Sequence, residues 1–479
     1  MRFLWSRRCT RIKGGRFTNC EGQRKHMKFP MIDSAIFSRA LAYRRDAIHI
    51  FSNSWAATIP FKKLNFYEED VLTEGVREGR QRLGTLYVFP AGQPGSGFAN
   101  HIGSITVACL AVNGTVDDRS AVNAAALVSV FCNGRKRNDQ RMITVGHNDK
   151  RCDTTFGGES AATAIVSGMI ALLLEANPRL SVRDVKHILI DSSSHLWLEA
   201  SPEFVPNTAG KYYHPRLGFG LPDSSKMVLL GRRWNQLAPL CKSTLIFSKD
   251  SYHLKDLHWY LRVLYDNTFC DPAPCIEKME EVSFEIEFVY SEQHHMKLWA
   301  KSPSGTKSTL AEIKPVANGD KEKRVNTTFR SNHFWGENSV GRWHIYIGCN
   351  LPMSHPFPAY GCHVTKARLT IHGTVEKANA QQHCNADTFP DDDRNKLPSV
   401  ATDGKHVENK NIITKNFVTN NINNVINNYN SYPGLWIILG IGITIVVLFL
   451  YAWGVRKRLW QHISQNDSGL IFSPPHNQF

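Results

Sequence analysis

Ser160 stands in Phe156-Gly-Gly-Glu-Ser160-Ala-Ala-Thr163, a turn of small residues that runs into the apolar stretch Ile165-Val-Ser-Gly-Met-Ile-Ala-Leu-Leu-Leu-Glu-Ala176. A hydroxyl at a helix start has two uses. It can cap the helix by accepting a backbone N–H, the ordinary role of serine there. It can also be a nucleophile whose developing oxyanion lies near free backbone N–H groups. Spacing alone leaves both readings open, although the Ala/Gly/Ser face after Ser160 implies close packing against something rigid. Glu159 suits a helix N-terminus. It opposes an oxyanion, because like charge raises the energy of the state that catalysis must stabilise.

Other residues with chemical potential are scattered. His372-Gly373-Thr374 closes the alternating run Ala367–Ile371 and reads as the end of a surface strand. His101 and His147 fall in loops without supporting context. No Cys-x-x-Cys pair or metal-ligand spacing is present. The chain has 11 Cys, an odd count, with several between Cys241 and Cys384, which predicts a partly disulfide-bonded ectodomain with an unpaired thiol. Asn113-Gly-Thr and Asn326-Thr-Thr are candidate glycosylation acceptors.

The elements that must position Ser160 alternate in type. Ile48-His-Ile-Phe-Ser-Asn-Ser54-Trp55, Gly84–Phe89, Ser104–Val112 and Gln140–Val145 read as strands, and Tyr67–Arg82, acids first and arginines later, as a helix. Strand, helix, strand alternation implies parallel strands with crossover helices. From about Asn235 the pattern changes to short alternating strands, Val282–Val289, Met296–Ala300, Gly341–Ile347 and Lys366–Gly373, which points to a β-sandwich. Glu376–Pro433 is polar and later Asn-rich, and reads as a flexible stalk.

Leu435–Trp453 carries no charge and, at about 1.5 Å per residue, spans a hydrocarbon core of about 30 Å. Aromatic residues mark its ends, and Arg456-Lys457-Arg458 marks the cytoplasmic side. The net charge of +15 is concentrated in Met1–Lys28 and this basic cluster. No aromatic platform accompanies it, so nucleic acid is not an expected partner.

The segment Gly158–Pro178 with Val182–Ile190 closely resembles the catalytic-serine helix of subtilisin-like proteases of the kexin/furin (proprotein convertase) type. Glu159 and Ala164 depart from that family's Thr and Pro. The resemblance makes Ser160 the nucleophile position, Ser54 and Trp55 the substrate-lining strand, and Ala91-Gly92-Gln93 the loop with the oxyanion residue, where Gln93 replaces Asn. Its extra methylene displaces the amide donor by about 1.5 Å, and useful donors sit at about 2.7–3.1 Å. Ala56-Ala-Thr-Ile-Pro60 is uncharged where the family has an acidic run, so dibasic selectivity is unsupported.

The family's Asp and His motifs would precede Met31, where only about thirty residues stand. Met1–Arg8 also lacks an export signal's apolar region. The expectation is therefore a truncated and degenerate chain, with Cys152 left a free thiol or paired anew, since its family partner lies beside the catalytic His. Leu217–Asp223 with Met227–Leu230 resembles the last protease helix, and Ser302–Leu310 with Trp335–Trp343 resembles P (Homo B) domain strands. Cys241 with Cys270, or with the rival Cys275, and Cys349 with Cys362 are the disulfides considered.

The expected architecture is an α/β subtilisin-like parallel sheet (second half only), an all-β sandwich P domain and one transmembrane helix. The divisions are 1–28 basic arm, 29–232 partial protease domain, 233–378 P domain, 379–433 stalk, 434–454 transmembrane helix and 455–479 cytoplasmic tail. By resemblance the function is that of a membrane-anchored serine endopeptidase processing proproteins, inactive as given without its Asp and His. The alternative is a non-catalytic pseudoprotease that binds or scaffolds polypeptides. Its setting is the Golgi and secretory pathway, its topology type I, and its partners proteins or peptides and a lipid bilayer. The resemblance implies Ca2+, but no ligands are assignable and no other cofactor is identifiable.

Overall fold

Ile50–Asn53 and Leu86–Pro90 are buried at every position, and so are all residues of Ser104–Ala111. Such runs belong to strands covered on both faces. The computed structural model describes residues 3–6, 12–13, 16–17, 34–117, 120–133, 142–145, 152–238, 240–247, 252–255, 258–265, 276–350 and 362–375. The predicted stalk, transmembrane helix and tail lie outside the described residues, as do Cys270 and Cys275.

Strands β1 (Phe3–Ser6), β2 (Ile50–Asn53), β3 (Leu86–Pro90), β4 (Ser104–Ala111) and β5 (Val128–Asn133) form one parallel sheet in that order. Helices α1 (Ser34–Ala42), α2 (Phe66–Arg82) and α3 (Gly97–Asn100) lie in the connections. Beyond β5 come α4 (Glu159–Ala176), α5 (Val182–Ser192) and α6 (Ser224–Arg232). α4 packs on the sheet through Ala162, Val166, Ile170 and Leu173, all fully buried, and Ser167 Oγ donates to Ser52 Oγ at 2.9 Å. Its small residues permit that approach. Gly231 of α6 likewise permits a close approach to α4, since an added Cβ there would fall 2.3 Å from Leu173. Among the described residues α4 alone is long and apolar enough to cross a membrane, and it is half buried in this fold as a core helix.

Two expectations change here. Met1–Lys28 was read as a charged arm, yet Phe3–Ser6 pairs with β2 in register Phe3↔Ile50 to Ser6↔Asn53. The backbone of β2 thus finds partners on both sides, as buried N–H and C=O groups require. The segment Gln140–Val145 was read as a strand of the parallel sheet. Instead Met142–Val145 pairs antiparallel with Cys152–Phe156, and its alternating half-exposed and exposed pattern fits a ribbon outside the core. The strand that extends the parallel sheet is β5, whose preceding Asn123-Ala-Ala-Ala has no readable period.

Residues 241–374 form a sandwich of two antiparallel sheets. One runs β6 (Cys241–Ile246), β14 (His363–Thr374), β9 (Lys278–Tyr290), β12 (Lys323–Ser331); the other runs β7 (Tyr252–Lys255), β8 (His258–Tyr265), β13 (Gly341–Asn350), β10 (His295–Lys301), β11 (Lys307–Ile313). Phe284, Trp343, Leu298 and Ile345 are among the fully buried residues between them. Cys349 is joined to Cys362, Cys109 to Cys132, and Cys241 is disulfide-bonded. Cys152 is free and exposed.

The sandwich and the parallel sheet share their cores. Phe61, ahead of α2, inserts among Phe288, Tyr290 and Phe329 at centroid distances of 5.4, 5.7 and 5.9 Å. In return Trp335 joins the core of the parallel sheet and packs on His187 of α5 at 4.7 Å. Trp335 had been read as starting a strand; it lies in a turn, and the strand begins at Gly341. Beside it, Glu281 of β9 takes Lys186 Nζ at 2.8 Å and Arg330 Nη1 at 2.6 Å, with all three side chains buried. Arg330 also donates to the carbonyls of Ala99 (3.0 Å) and Ser104 (2.9 Å). Glu280 pairs with Arg183 and His187; burial would raise its pKa, but those hydrogen bonds hold it down at about 2.

Candidate active site

The C-terminal end of β2 meets the start of α4. Ser160 Oγ is exposed and donates to the Ser54 carbonyl at 2.9 Å, while Ser54 Oγ donates to the Ser160 carbonyl at 3.0 Å. The two positions that the resemblance assigned to nucleophile and substrate-lining strand are therefore laced to each other. Among the described residues no histidine hydrogen-bonds Ser160.

Gly158, at φ +80°, turns the chain into α4 and makes no side-chain cap, so Ser160 is not an N-cap serine. That open question closes in favour of a side chain presented at the surface. Trp55 is half buried in an aromatic nest, 4.8 Å from Phe37, 4.7 Å from Phe98 and 5.4 Å from Phe89, which anchors the strand that carries it.

Glu159 turns inward. One carboxyl oxygen accepts the Gly92 N–H at 3.0 Å, bridging the Ser160 turn to the loop that carries Gln93. Burial pushes its pKa up to about 7; the Gly92 hydrogen bond opposes this and the nearby Asp117 carboxylate adds to it. Gly92 has φ +54°, and a Cβ there would lie 2.6 Å from Ala56, so the loop needs glycine where it crosses the β2 extension.

Gln93 lies beside this bridge, and its side-chain amide makes no hydrogen bond among the described residues. Its carbonyl accepts from Ser96 N at 3.3 Å, while buried Asn123 fastens the loop by donating Nδ2 to the Ala91 carbonyl at 2.6 Å. Asn123 was not singled out from sequence, since an Asn in an Ala-rich run carries no motif.

The remaining residues lie elsewhere. Asn113 and Asn326 are both exposed, Asn113 with its side-chain oxygen accepting from Thr115 Oγ1 at 2.7 Å. His372, read as the end of a surface strand, is 6% exposed because the protease unit covers that face of β14. His101 accepts from Gly103 N and contacts Thr73 Oγ1 at 3.2 Å, away from Ser160; His147 lies outside the described residues. Among the described residues one group of metal-ligand types converges, Cys109, Asp117 and Cys132. Its sulfurs are joined as a disulfide and one carboxylate remains, which does not fit calcium's demand for about six to eight oxygens.

The subtilase family model matches residues 17–220, and the proprotein convertase P-domain model matches residues 279–353. The first match begins inside the stretch read as an arm. Furin of Rattus norvegicus is 27% identical over 361 residues, covering 72% of this chain and 44% of its own length. Proprotein convertase subtilisin/kexin type 4 of the same organism is 28% identical over 377 residues, covering 74% and 54%. The chain thus spans about half the length of the curated relatives it matches. The crystal structure of a serine protease of Aeromonas sobria superposes with TM-score 0.59 at 15% identity, covering 72% of this chain and 75% of that one, a likeness of fold. The family matches, and a parallel sheet with the Ser160 helix joined to a β-sandwich, agree: the chain carries a subtilase domain followed by a proprotein convertase P-domain.

Proposed function

We propose that this chain is a membrane-anchored, kexin/furin-like pseudoprotease that binds polypeptides in the secretory pathway without hydrolysing them. The observation that supports this best is the Glu159 bridge. Acyl transfer needs hydrogen-bond donors aimed at a developing oxyanion. Here a carboxyl group adjoins the serine and engages a backbone N–H of the loop that should supply such a donor. Gln93 in place of Asn, and a Ser160 hydroxyl given to the Ser54 carbonyl, weigh the same way. The substrate-lining strand and P domain remain as surfaces for an extended peptide. Leu435–Trp453 would hold them at a Golgi membrane, and nucleic acid has no place in this reading.

The second reading is a serine endopeptidase, favoured by the exposure of Ser160 at a helix start. Fluorophosphonate labelling separates the two. The pseudoprotease reading expects Ser160 labelling no faster than a peptide serine, and a peptide-cleavage rate unchanged by Ser160→Ala. Rapid Ser160 labelling with cleavage abolished by Ser160→Ala establishes the endopeptidase.

A further inference from the structure

A cleft of about 490 Å³ opens where the four-stranded sheet of the P domain faces α3 and the start of α2. Three observations there are unexplained by the peptide site. Lys242 on β6 and Lys63 ahead of α2 are both exposed on its wall, and neither has an ion-pair partner among the described residues. Its floor is polar: Thr244 and Thr370 share a hydrogen bond at 3.3 Å across the strands. At its inner end stands His372, opposite Lys242 in the strand register, 6% exposed, with Nδ1 lacking any hydrogen-bond partner.

The chemistry of these groups is mixed in an informative way. The His372 ring hydrogen-bonds the Glu281 backbone, and burial lowers its pKa to about 4, so the ring is neutral and Nδ1 is a vacant acceptor. Glu69 of α2 adds a carboxylate acceptor to the wall, while Glu285 is taken by Arg368 at 3.6 Å. A bare inorganic anion would satisfy the lysines and leave both acceptors unmet. A neutral sugar would satisfy the acceptors and leave the lysines. A ligand with O–H donors on one part and an anionic group on another satisfies all of them, and the volume is in the range of small-ligand pockets, about 300–1,000 Å³.

We propose that this interdomain cleft binds an anionic saccharide of about two sugar units, its hydroxyls donating to His372 Nδ1 and Glu69, its acidic group held by Lys63 and Lys242. The acid can be a sulfate ester or a carboxylate, since both pair with ammonium groups.

The test is isothermal titration calorimetry of the full chain in detergent micelles. The probes are a sulfated heparin-type disaccharide, a glucuronate-containing disaccharide, cellobiose and inorganic sulfate. Saturable binding of either acidic disaccharide, at least 10-fold tighter than cellobiose and sulfate, is expected. Lys63→Gln with Lys242→Gln should weaken it at least 10-fold with the melting temperature unchanged, and His372→Asn several-fold. No saturable binding of either acidic disaccharide overturns the proposal. So does equal binding of sulfate alone, or an affinity that the double lysine variant leaves intact.

Discussion

Glu159 is the residue on which the site turns. Its carboxyl stays protonated to about pH 7, against an ordinary value of 4.5, because burial penalises the charge more than the Gly92 N–H relieves it. Between those two values the folded chain holds a proton that the unfolded chain has released. Its contribution to stability therefore falls as pH rises from about 4.5 to 7. Glu159→Gln removes this penalty, so its melting temperature relative to the parent should climb across that window and level off above pH 7. The gain should be roughly 1–2 °C for each kcal/mol relieved, given the size of the unit that unfolds; a difference independent of pH in scanning calorimetry contradicts the assignment. That a carboxyl group adjoins Ser160 is legible in the sequence. That the carboxyl reaches across to Gly92 is not, because the two residues are 67 apart in the chain.

At the scale of elements, local rules did most of the positioning. α2 opens with a capping box in which Asn65 and Glu68 exchange hydrogen bonds at 3.0 Å, and α5 opens with another between Ser181 and Asp184. Asn65→Ala should cost about 1 kcal/mol in urea unfolding. Asp184 carries more than its cap. Its Oδ1 also accepts from Trp234 Nε1 and Leu237 N, both at 3.0 Å, tying the domain linker to α5. Asp184→Ala should therefore cost about 1–3 kcal/mol beyond Ser181→Ala, the price of leaving buried donors unpaired. Equal losses would show that the linker bonds contribute nothing. Long apolar strands and the Ser160 helix were readable because their periods follow burial. β5 and the hairpin of Met142–Val145 were not, because which of them enters the sheet depends on edges that local pattern does not encode.

For the whole molecule, the protease unit and the P domain stand or fall together. Glu281→Ala leaves Lys186 and Arg330 buried without their shared partner, and should destabilise the chain by about 3–5 kcal/mol in chemical denaturation. Residues 29–232 expressed alone lack β1, Trp335 and Glu281, the ion-pair partner of Lys186, and should be molten by amide exchange; sharp, protected spectra throughout would contradict this. Acid should also loosen the fold. His101, His333 and His372 are held neutral by burial, at about 3, 3 and 4. The stability they contribute is present above their ordinary 6.5 and is lost as pH falls below it. Over about pH 4.5–6.5 these three outweigh the opposite slope of Glu159, so the melting temperature should drop on acidification. By itself the sequence determined the two fold classes, their order and the serine-bearing turn, because burial periodicity and small-residue packing are written locally. Only the tertiary structure decided that His372 is buried, that Phe61 and Trp335 are exchanged between cores, and that Glu159 engages the Gly92 loop. Each of these depends on a surface hundreds or tens of residues away, whose approach no local pattern records.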